Sequence, residues 1–139
     1  MDNIYATCIS LNHKGILFIG KSGAGKSDLA LRLIEEIGAI LVSDDRTDIF
    51  AENNSVYASC PEPIKGLLEV RGLGIIKKDF IPQEKIHLIV ELVENYNQID
   101  RLPNKDFFEY KGIKIPKIKI YPFETSAVYK IKLACDEKQ

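Results

Sequence analysis

The chain has 139 residues, a length typical of one domain, and 45% of them are hydrophobic, which is enough for a core and excludes global disorder. Its formal net charge of -1 argues against broad nucleic-acid binding, because that function needs a basic face. The first residues lack the pattern of a signal peptide. No apolar run approaches the roughly 20 residues of a membrane span. We therefore expect a soluble cytoplasmic protein.

The first predicted elements are two strands joined by a turn. Residues 4–11 are rich in β-forming side chains and predict a strand. Residues 12–15 predict a turn in which Gly15 is able to take a positive φ. The continuous apolar run 15–19 then predicts a buried strand, because strands covered on both faces do not alternate.

A helix and a further strand follow. Apolar side chains recur at helical spacing from Leu29 to Ile37, and Gly38 is a natural stop just past the end of that helix. Residues 39–42 predict a second buried strand, which leads directly into Asp44 and Asp45.

The remainder of the chain predicts mostly strands. Residues 47–51 and 55–59 flank Asn53-Asn54 and predict a hairpin. Residues 86–93 are strongly apolar and predict another strand, whereas the polar residues 94–106 predict a mobile loop.

The last part of the chain predicts an edge strand and a helix. Residues 113–121 alternate around Pro116, and a proline within a strand indicates the edge of a sheet. Apolar side chains between Ala127 and Cys135 have helical spacing. The sequence contains no internal repeat and no linker, so we expect a single α/β domain.

The three cysteines, Cys8, Cys60 and Cys135, are widely spaced and form no Cys-x-x-Cys pair. An odd number without paired spacing argues against a disulfide framework and against a zinc site. We therefore expect each cysteine to be a small core residue of a protein in a reducing compartment.

One segment matches the phosphate-binding pattern Gly-x-x-x-x-Gly-Lys-Ser/Thr between a predicted strand and a predicted helix. It comprises Gly20, Lys21, Ser22, Gly23, Ala24, Gly25, Lys26 and Ser27. In such a P-loop, backbone N–H groups and the helix N-terminus hold the phosphates of ATP, Lys26 neutralises the β- and γ-phosphates, and Ser27 ligates Mg²⁺. The alternative is a glycine turn that only caps a helix, but the strand and helix context favours phosphate binding.

Two adjacent carboxylates, Asp44 and Asp45, end the strand that follows the P-loop helix. The carboxyl ends of strands in an open α/β sheet form the ligand crevice, and nucleoside triphosphatases place a metal-linked or catalytic carboxylate there. One aspartate can lie near Mg²⁺ while the other accepts a proton from an attacking hydroxyl. The alternative is an ordinary turn after a strand, where aspartate is common.

A third segment, residues 68–75, contains Glu69, Arg71, Gly72 and Gly74. Glu69 and Arg71 are two residues apart, so on an extended stretch their side chains would face the same way. The two glycines allow tight turns or the close approach of a ligand. From the residues alone, an exposed ion pair beside a turn is an equally good interpretation.

These three segments resemble, in order and spacing, the HPr kinase/phosphorylase family, whose signature Glu-Ile/Val-Arg-Gly-Leu-Gly-Ile matches residues 69–75. The similarity covers nearly the whole chain as the C-terminal catalytic domain, and it looks most like the short α-proteobacterial form. The resemblance implies that residues 1–139 form one β-rich α/β domain with a P-loop core related to phosphoenolpyruvate carboxykinase. Longer members form hexamers, so it also implies a homo-oligomer.

The resemblance implies a role for several single residues. Lys26 would bind phosphate, and Ser27 and Glu69 would ligate Mg²⁺. The Asp44-Asp45 pair would supply the proton acceptor, with Asp45 slightly favoured. Two arginines complete the implied site: Arg71 within the signature, and Arg101, which looks like the later active-site arginine of the family. From its own surroundings, Arg101 is predicted to be only a charge in a polar loop.

Two features depart from the longer enzymes of the family. Tyr5 stands where they carry a histidine, and a tyrosine cannot relay protons near pH 7. Residues 121–126 stand near a Pro-Gly-Arg-Asn segment tied to dephosphorylation, but lack its glycine, arginine and asparagine. We therefore expect weak or absent phosphorylase activity.

The resemblance as a whole implies a Mg²⁺- and ATP-dependent kinase that phosphorylates a serine of an HPr-like phosphocarrier protein and so regulates carbohydrate metabolism through the phosphotransferase system. One alternative is a small-molecule kinase or nucleoside triphosphatase on the same core. The other is a nucleotide-sensing module that binds ATP and transfers nothing, which Tyr5 and the altered region around Pro122 keep open. No membrane or nucleic-acid partner is expected.

Overall fold

The computed structural model describes residues 1–137, so Lys138 and Gln139, the end of the expected domain, lie outside the described part. The described residues form strands and α-helices in this order: β1 (Asp2–Tyr5), β2 (Thr7–Leu11), β3 (Lys14–Ile19), α1 (Lys26–Ile37), β4 (Ile40–Ser43), β5 (Arg46–Glu52), β6 (Ser55–Ser59), β7 (Leu67–Val70), β8 (Gly74–Lys77), β9 (Gln83–Leu92), β10 (Asp106–Tyr110), β11 (Ile113–Ile120) and α2 (Ala127–Asp136). Short 3₁₀ turns lie at Glu62–Ile64 and Tyr96–Gln98. No helix within residues 1–137 is long and apolar enough to cross a membrane.

A mixed sheet organises the chain around β9. Strand β9 pairs in parallel with β3 and with β11, and antiparallel with β6. Strand β2 pairs antiparallel with both β3 and β4, so β4 runs in the same direction as β3. The carboxyl ends of β3, β4, β9 and β11 therefore meet at one edge of the sheet, where loops can form a ligand crevice.

Both faces of the central strands are buried. Ile16 and Phe18 of β3 pack on the side of α1 and α2, whereas Leu17 packs on the opposite side with residues of β5 and β6. Because successive side chains of a strand point to opposite faces, a strand covered on both sides needs the continuous apolar run that predicted it. The predicted helices, the strand leading into Asp44-Asp45, the hairpin around Asn53-Asn54 and the strand near residues 86–93 are all present.

The predicted strand over residues 4–11 is wrong as one element, because the chain breaks at Ala6. Strand β1 pairs with β5, whereas β2 pairs with β3 and β4, so the segment passes from one part of the sheet to another. At the break the Ala6 N–H donates to the Asp45 carbonyl at 3.0 Å. A change of strand partner is non-local and leaves no mark in the sequence of a β-rich segment.

The expected positive φ at Gly15 is also wrong. Asn12 and His13 have φ values of 50° and 63° and form the turn, whereas Gly15 lies within β3. Gly15 matters for a different reason, since a Cβ there would lie 2.5 Å from the Lys85 carbonyl oxygen. The glycine lets β3 and β9 approach closely where their register shifts.

Strand β11 is not an outer strand, because it lies between β10 and β9. Pairing with β10 involves residues 113–117, whereas pairing with β9 begins only at Lys117. Pro116 therefore lies where the strand has one partner, so β11 is an edge locally and tolerates a residue without an N–H.

Candidate active site

The P-loop joins the end of β3 to the start of α1, as predicted. Gly25 is the residue before the helix and has φ 105°, a region that glycine adopts without strain. The first N–H groups of an α-helix have no intrahelical acceptor, so this end of α1 can bind an anion. The remaining loop residues are half-buried or exposed: Gly20 and Ala24 are half-buried, and Lys21, Ser22 and Gly23 are exposed.

Lys26 lies inside the loop and is only 8% exposed. Its Nζ donates to the carbonyl oxygens of Gly20 at 2.8 Å and Lys21 at 3.1 Å. Burial lowers the pKa of Lys26 below its ordinary value, while the charges of Asp45 and Asp44 oppose that shift. The lysine is therefore held by the loop carbonyls and lies close enough to the aspartate pair to feel both charges.

Asp44 is buried and joins three parts of the chain through its carboxylate. Its Oδ1 accepts hydrogen bonds from Ser27 Oγ at 2.6 Å and Thr7 Oγ1 at 3.0 Å. Its Oδ2 accepts a hydrogen bond from the Glu69 N–H at 3.1 Å. One carboxylate thus binds the P-loop serine, strand β2 and strand β7. P-loop nucleoside triphosphatases hold Mg²⁺ with such a serine and aspartate.

Asp45, the next residue, has a different environment. It is exposed and has φ 67°, in the left-handed region that aspartate adopts more readily than most side chains. Two hydrogen bonds of its backbone stabilise this conformation: the Asp45 N–H donates to Thr7 Oγ1 at 3.2 Å, and the Asp45 carbonyl accepts from the Ala6 N–H. The structure thus separates two adjacent aspartates into a buried, hydrogen-bonded one and an exposed one.

Thr7 is a site residue that the sequence did not reveal. Its hydroxyl donates to Asp44 and accepts from the Asp45 N–H, so one side chain orients both aspartates. Thr7 is fully buried in β2. A threonine in a strand is ordinary, so only the pairing of β2 with β4 reveals this role.

The signature segment forms a β-hairpin of β7 and β8, separate from the large sheet. Glu69 is exposed on β7, and its N–H reaches Asp44, so the hairpin brings Glu69 to the site. The expectation that Glu69 and Arg71 share an extended stretch is wrong, because the Leu73 N–H donates to the Val70 carbonyl at 2.9 Å and the chain turns at Arg71. Arg71 is exposed in that turn.

Arg101 lies in the exposed loop between β9 and β10. Among residues 1–137, no hydrogen bond or ion pair connects Arg101 or Arg71 with the aspartate pair. The P-loop, the aspartates and Glu69 therefore come together, whereas the two arginines are not joined to them by a direct contact.

The oxygen donors of the site suit Mg²⁺. The Ser27 hydroxyl donates directly to Asp44, and the backbone N–H of Glu69 donates to the same carboxylate. No group of three or more His, Cys, Asp or Glu side chains with metal-binding geometry occurs in the described part of the chain. Mg²⁺ typically uses one or two carboxylates together with substrate phosphates and waters, so an all-protein cage is not needed.

The three cysteines do not contribute to this site. All are buried and free, as predicted for core residues. Burial raises the pKa of each thiol above its ordinary value, which makes the nucleophilic thiolate scarce.

Tyr5 faces solvent at the start of the sheet. The Arg46 guanidinium carbon lies 3.6 Å from the centroid of its ring, and Arg46 also donates to Asn3 Oδ1 at 2.9 Å. The phenol at this position therefore stacks against a cation.

Comparisons with known proteins identify the family of the chain. The model of the HPr Serine kinase C-terminal domain matches residues 1–131. An HPr kinase/phosphorylase from Mycoplasmopsis pulmonis is 38% identical over 128 residues, which cover 84% of this chain and 41% of the relative. The same-named protein of Limosilactobacillus reuteri is 32% identical over 130 residues, covering 85% of this chain and 40% of the relative.

The fold agrees as well. The solved structure of the HPr(Ser) kinase/phosphatase from Coxiella burnetii superposes with a TM-score of 0.84 at 28% identity, covering 98% of this chain and 90% of that one. The β-rich α/β fold predicted from the resemblance is thereby confirmed. The chain spans only about two fifths of the length of the two curated relatives. The chain belongs to the HPr serine kinase C-terminal domain family.

Proposed function

We propose that residues 1–139 are a catalytic domain that uses ATP and Mg²⁺ to phosphorylate a serine of an HPr-like phosphocarrier protein in the cytoplasm, and so regulates carbohydrate metabolism. Membership of the family supports a kinase of this class. The single observation that carries the proposal is the 2.6 Å hydrogen bond from Ser27 to Asp44, next to an exposed Asp45. It supports a metal position and a proton acceptor side by side at the P-loop.

In this proposal the two aspartates have separate roles. Asp44, buried and bonded to Ser27, would orient the Mg²⁺ ligands, while Glu69 would supply a further oxygen from the hairpin. Asp45, exposed beside it, would accept the proton of the serine hydroxyl that attacks the γ-phosphate in line. Lys26 would stabilise charge on the phosphoryl group, and when bound Mg²⁺ would supply further charge stabilisation.

The two arginines would complete the site only after a change of position. Arg71 and Arg101 are both exposed on loops and have no direct contact with the aspartates among residues 1–137. A bidentate guanidinium suits a phosphoryl oxygen, so binding of nucleotide and acceptor would have to bring either side chain inward.

Transfer can be tested directly by incubating the protein with ATP, Mg²⁺ and an HPr-like protein from the same organism, and measuring the intact mass of the carrier. We expect a gain of one phosphoryl group on a serine, and far slower transfer with Asp45→Asn. Transfer to small molecules instead, or ATP hydrolysis alone, would favour a small-molecule kinase or a nucleoside triphosphatase. Tight ATP binding without any turnover would favour a nucleotide-sensing module.

We further propose that phosphorylase activity is weak or absent. Residues 121–126 contain no arginine, and the arginine of α1 that reaches this loop, Arg32, already donates to the Pro122 carbonyl and pairs with Asp28 at 3.1 Å. Phosphorolysis needs a second anion held beside the nucleotide, which a bidentate guanidinium does best. Pyrophosphate release from the phosphorylated carrier, in several millimolar phosphate, should be far slower than forward transfer. Comparable rates would contradict the proposal.

The family resemblance also leads us to propose a homo-oligomer. Light scattering coupled to size-exclusion chromatography measures its mass, and a monomer at micromolar concentration would contradict this part of the proposal.

A further inference from the structure

Three aromatic side chains form a cluster beside the P-loop, here called the aromatic platform: Tyr96, Tyr121 and Phe123. The Tyr121 ring lies edge-on to both others, with centroid distances of 6.3 Å to Tyr96 and 5.7 Å to Phe123. Tyr96 is 61% exposed and Phe123 is 62% exposed. Two large exposed rings on either side of Tyr121 leave apolar surface in water, which the fold itself does not require.

The platform is in contact with the P-loop. A Cβ at Gly25 would lie 3.4 Å from Phe123 Cζ, so this ring covers the last glycine before α1. The loop that carries Phe123 is anchored, because Arg32 of α1 donates to the Pro122 carbonyl and the Glu124 N–H donates to the Tyr121 carbonyl at 3.3 Å. Phe123 is therefore held next to the phosphate-binding loop.

The order of strands places the platform opposite the aspartates. Strands β2 and β4 lie on one side of β3, whereas β9 and β11 lie on the other side. Strand β4 carries the chain into Asp44. Tyr96 follows β9, and Tyr121 follows β11. A nucleotide that extends from Asp44 across the P-loop toward β9 and β11 would bring its base to the platform.

We infer that the aromatic platform binds the purine base of the nucleotide, an inference that rests on the proposed function. Bases stack on aromatic side chains with little regard to sequence, since every base has a π-face. Tyr96 and Phe123 offer the exposed rings for this contact, and Tyr121 supports both from the edge.

A carboxylate on the loop that carries Phe123 lies near the platform. Glu124 Oε2 is buried and has no hydrogen-bond partner within residues 1–137. Its other oxygen pairs with Lys130, whose Nζ lies 5.7 Å from the centroid of the Tyr96 ring. This oxygen is covered by protein atoms, so a purine amino group could donate to it only after the Glu124 side chain turns outward.

The test compares two ligands that share phosphates and differ in the base: ATP and inorganic tripolyphosphate, each with Mg²⁺, measured by calorimetry. Tyr96→Ala and Phe123→Ala should each weaken ATP binding by about tenfold and leave tripolyphosphate binding unchanged. Tyr96→Phe keeps the ring and should keep the affinity for ATP. The control is Phe107→Ala, which removes a 46%-exposed ring on β10 and should change neither affinity.

Four results would overturn the inference. Unchanged ATP affinity in both alanine variants would mean that the base lies elsewhere. Equal losses for ATP and tripolyphosphate would mean that the rings only support the P-loop. Failure of the unmutated protein to bind either ligand would overturn the proposed function as well, whereas equal affinity of that protein for both ligands would overturn the platform alone.

Discussion

Replacing Asp44 and Asp45 one at a time should separate stability from catalysis. Asp44 is 5% exposed and accepts hydrogen bonds from Ser27, Thr7 and Glu69, so Asp44→Ala leaves three donors without their acceptor. An unsatisfied buried donor costs about 1–3 kcal/mol, but the two hydroxyls can rotate toward other acceptors. We therefore expect a loss of about 3 kcal/mol in the free energy of unfolding, or about 10 °C in melting temperature.

The matched substitution Asp44→Asn should cost much less. Its carbonyl oxygen can accept from the Glu69 N–H, while its NH₂ group donates to the Ser27 hydroxyl, which accepts after rotating. We expect a loss of about 1 kcal/mol, together with a large loss of phosphoryl transfer because the charge next to the metal position is gone.

Asp45 provides the internal control because it is exposed. Asp45→Asn should change stability by less than about 0.5 kcal/mol, since asparagine also tolerates a positive φ, yet lower the transfer rate by about 100- to 10,000-fold. Thermal unfolding followed by circular dichroism, and carrier phosphorylation followed by intact mass, measure the two quantities. Equal destabilisation by Asp44→Ala and Asp45→Ala, or full transfer by either asparagine variant, would refute the reasoning.

Three further substitutions test other parts of the site and fold. Lys26→Ala should weaken ATP binding in calorimetry by about tenfold or more, because a charge-assisted contact with phosphate is lost, and unchanged affinity would contradict phosphate binding at this loop. Glu69→Gln should raise the Mg²⁺ concentration needed for half-maximal transfer. The control is Glu62→Gln, which changes an exposed carboxylate paired with Lys65 and should leave that concentration unchanged. Equal Mg²⁺ titrations of Glu69→Gln and the unmutated protein would make Glu69 a structural residue. Gly15→Ala should lower the free energy of unfolding by about 1–3 kcal/mol, since its Cβ would lie 2.5 Å from a carbonyl oxygen, and an unchanged melting curve would mean that β9 yields easily.

The parts of the molecule that the sequence predicted are local. The P-loop, the apolar stripe of α1, its stop at Gly38 and the strand leading into Asp44 each depend on residues a few positions apart. The break at Ala6 and the inner position of β11 depend on which distant strand pairs with which, and propensity does not encode that choice.

In the candidate site, too, the features that the sequence could not reveal depend on tertiary contacts. The two aspartates have identical side chains, so only burial and φ distinguish them, and both come from tertiary contacts. Tyr96 and Tyr121 are distant in sequence and meet only because the strands before them are neighbours. The sequence left open whether residues 69–71 are extended or lead into a turn, and the Leu73 N–H bond to the Val70 carbonyl shows the turn.

The hairpin of β7 and β8 has a consequence for local opening and hydrogen exchange. It forms a two-stranded sheet of its own, held to the body mainly by buried Leu68, the Glu69 bond to Asp44 and a 3.4 Å ion pair between Lys78 and Glu35. The centres of β3 and β9, residues 15–18 and 88–90, are instead buried on both faces, so their amides should exchange only through global unfolding. The hairpin amides should exchange first, which means that the segment carrying Glu69 can detach and reattach while the P-loop stays folded beneath it.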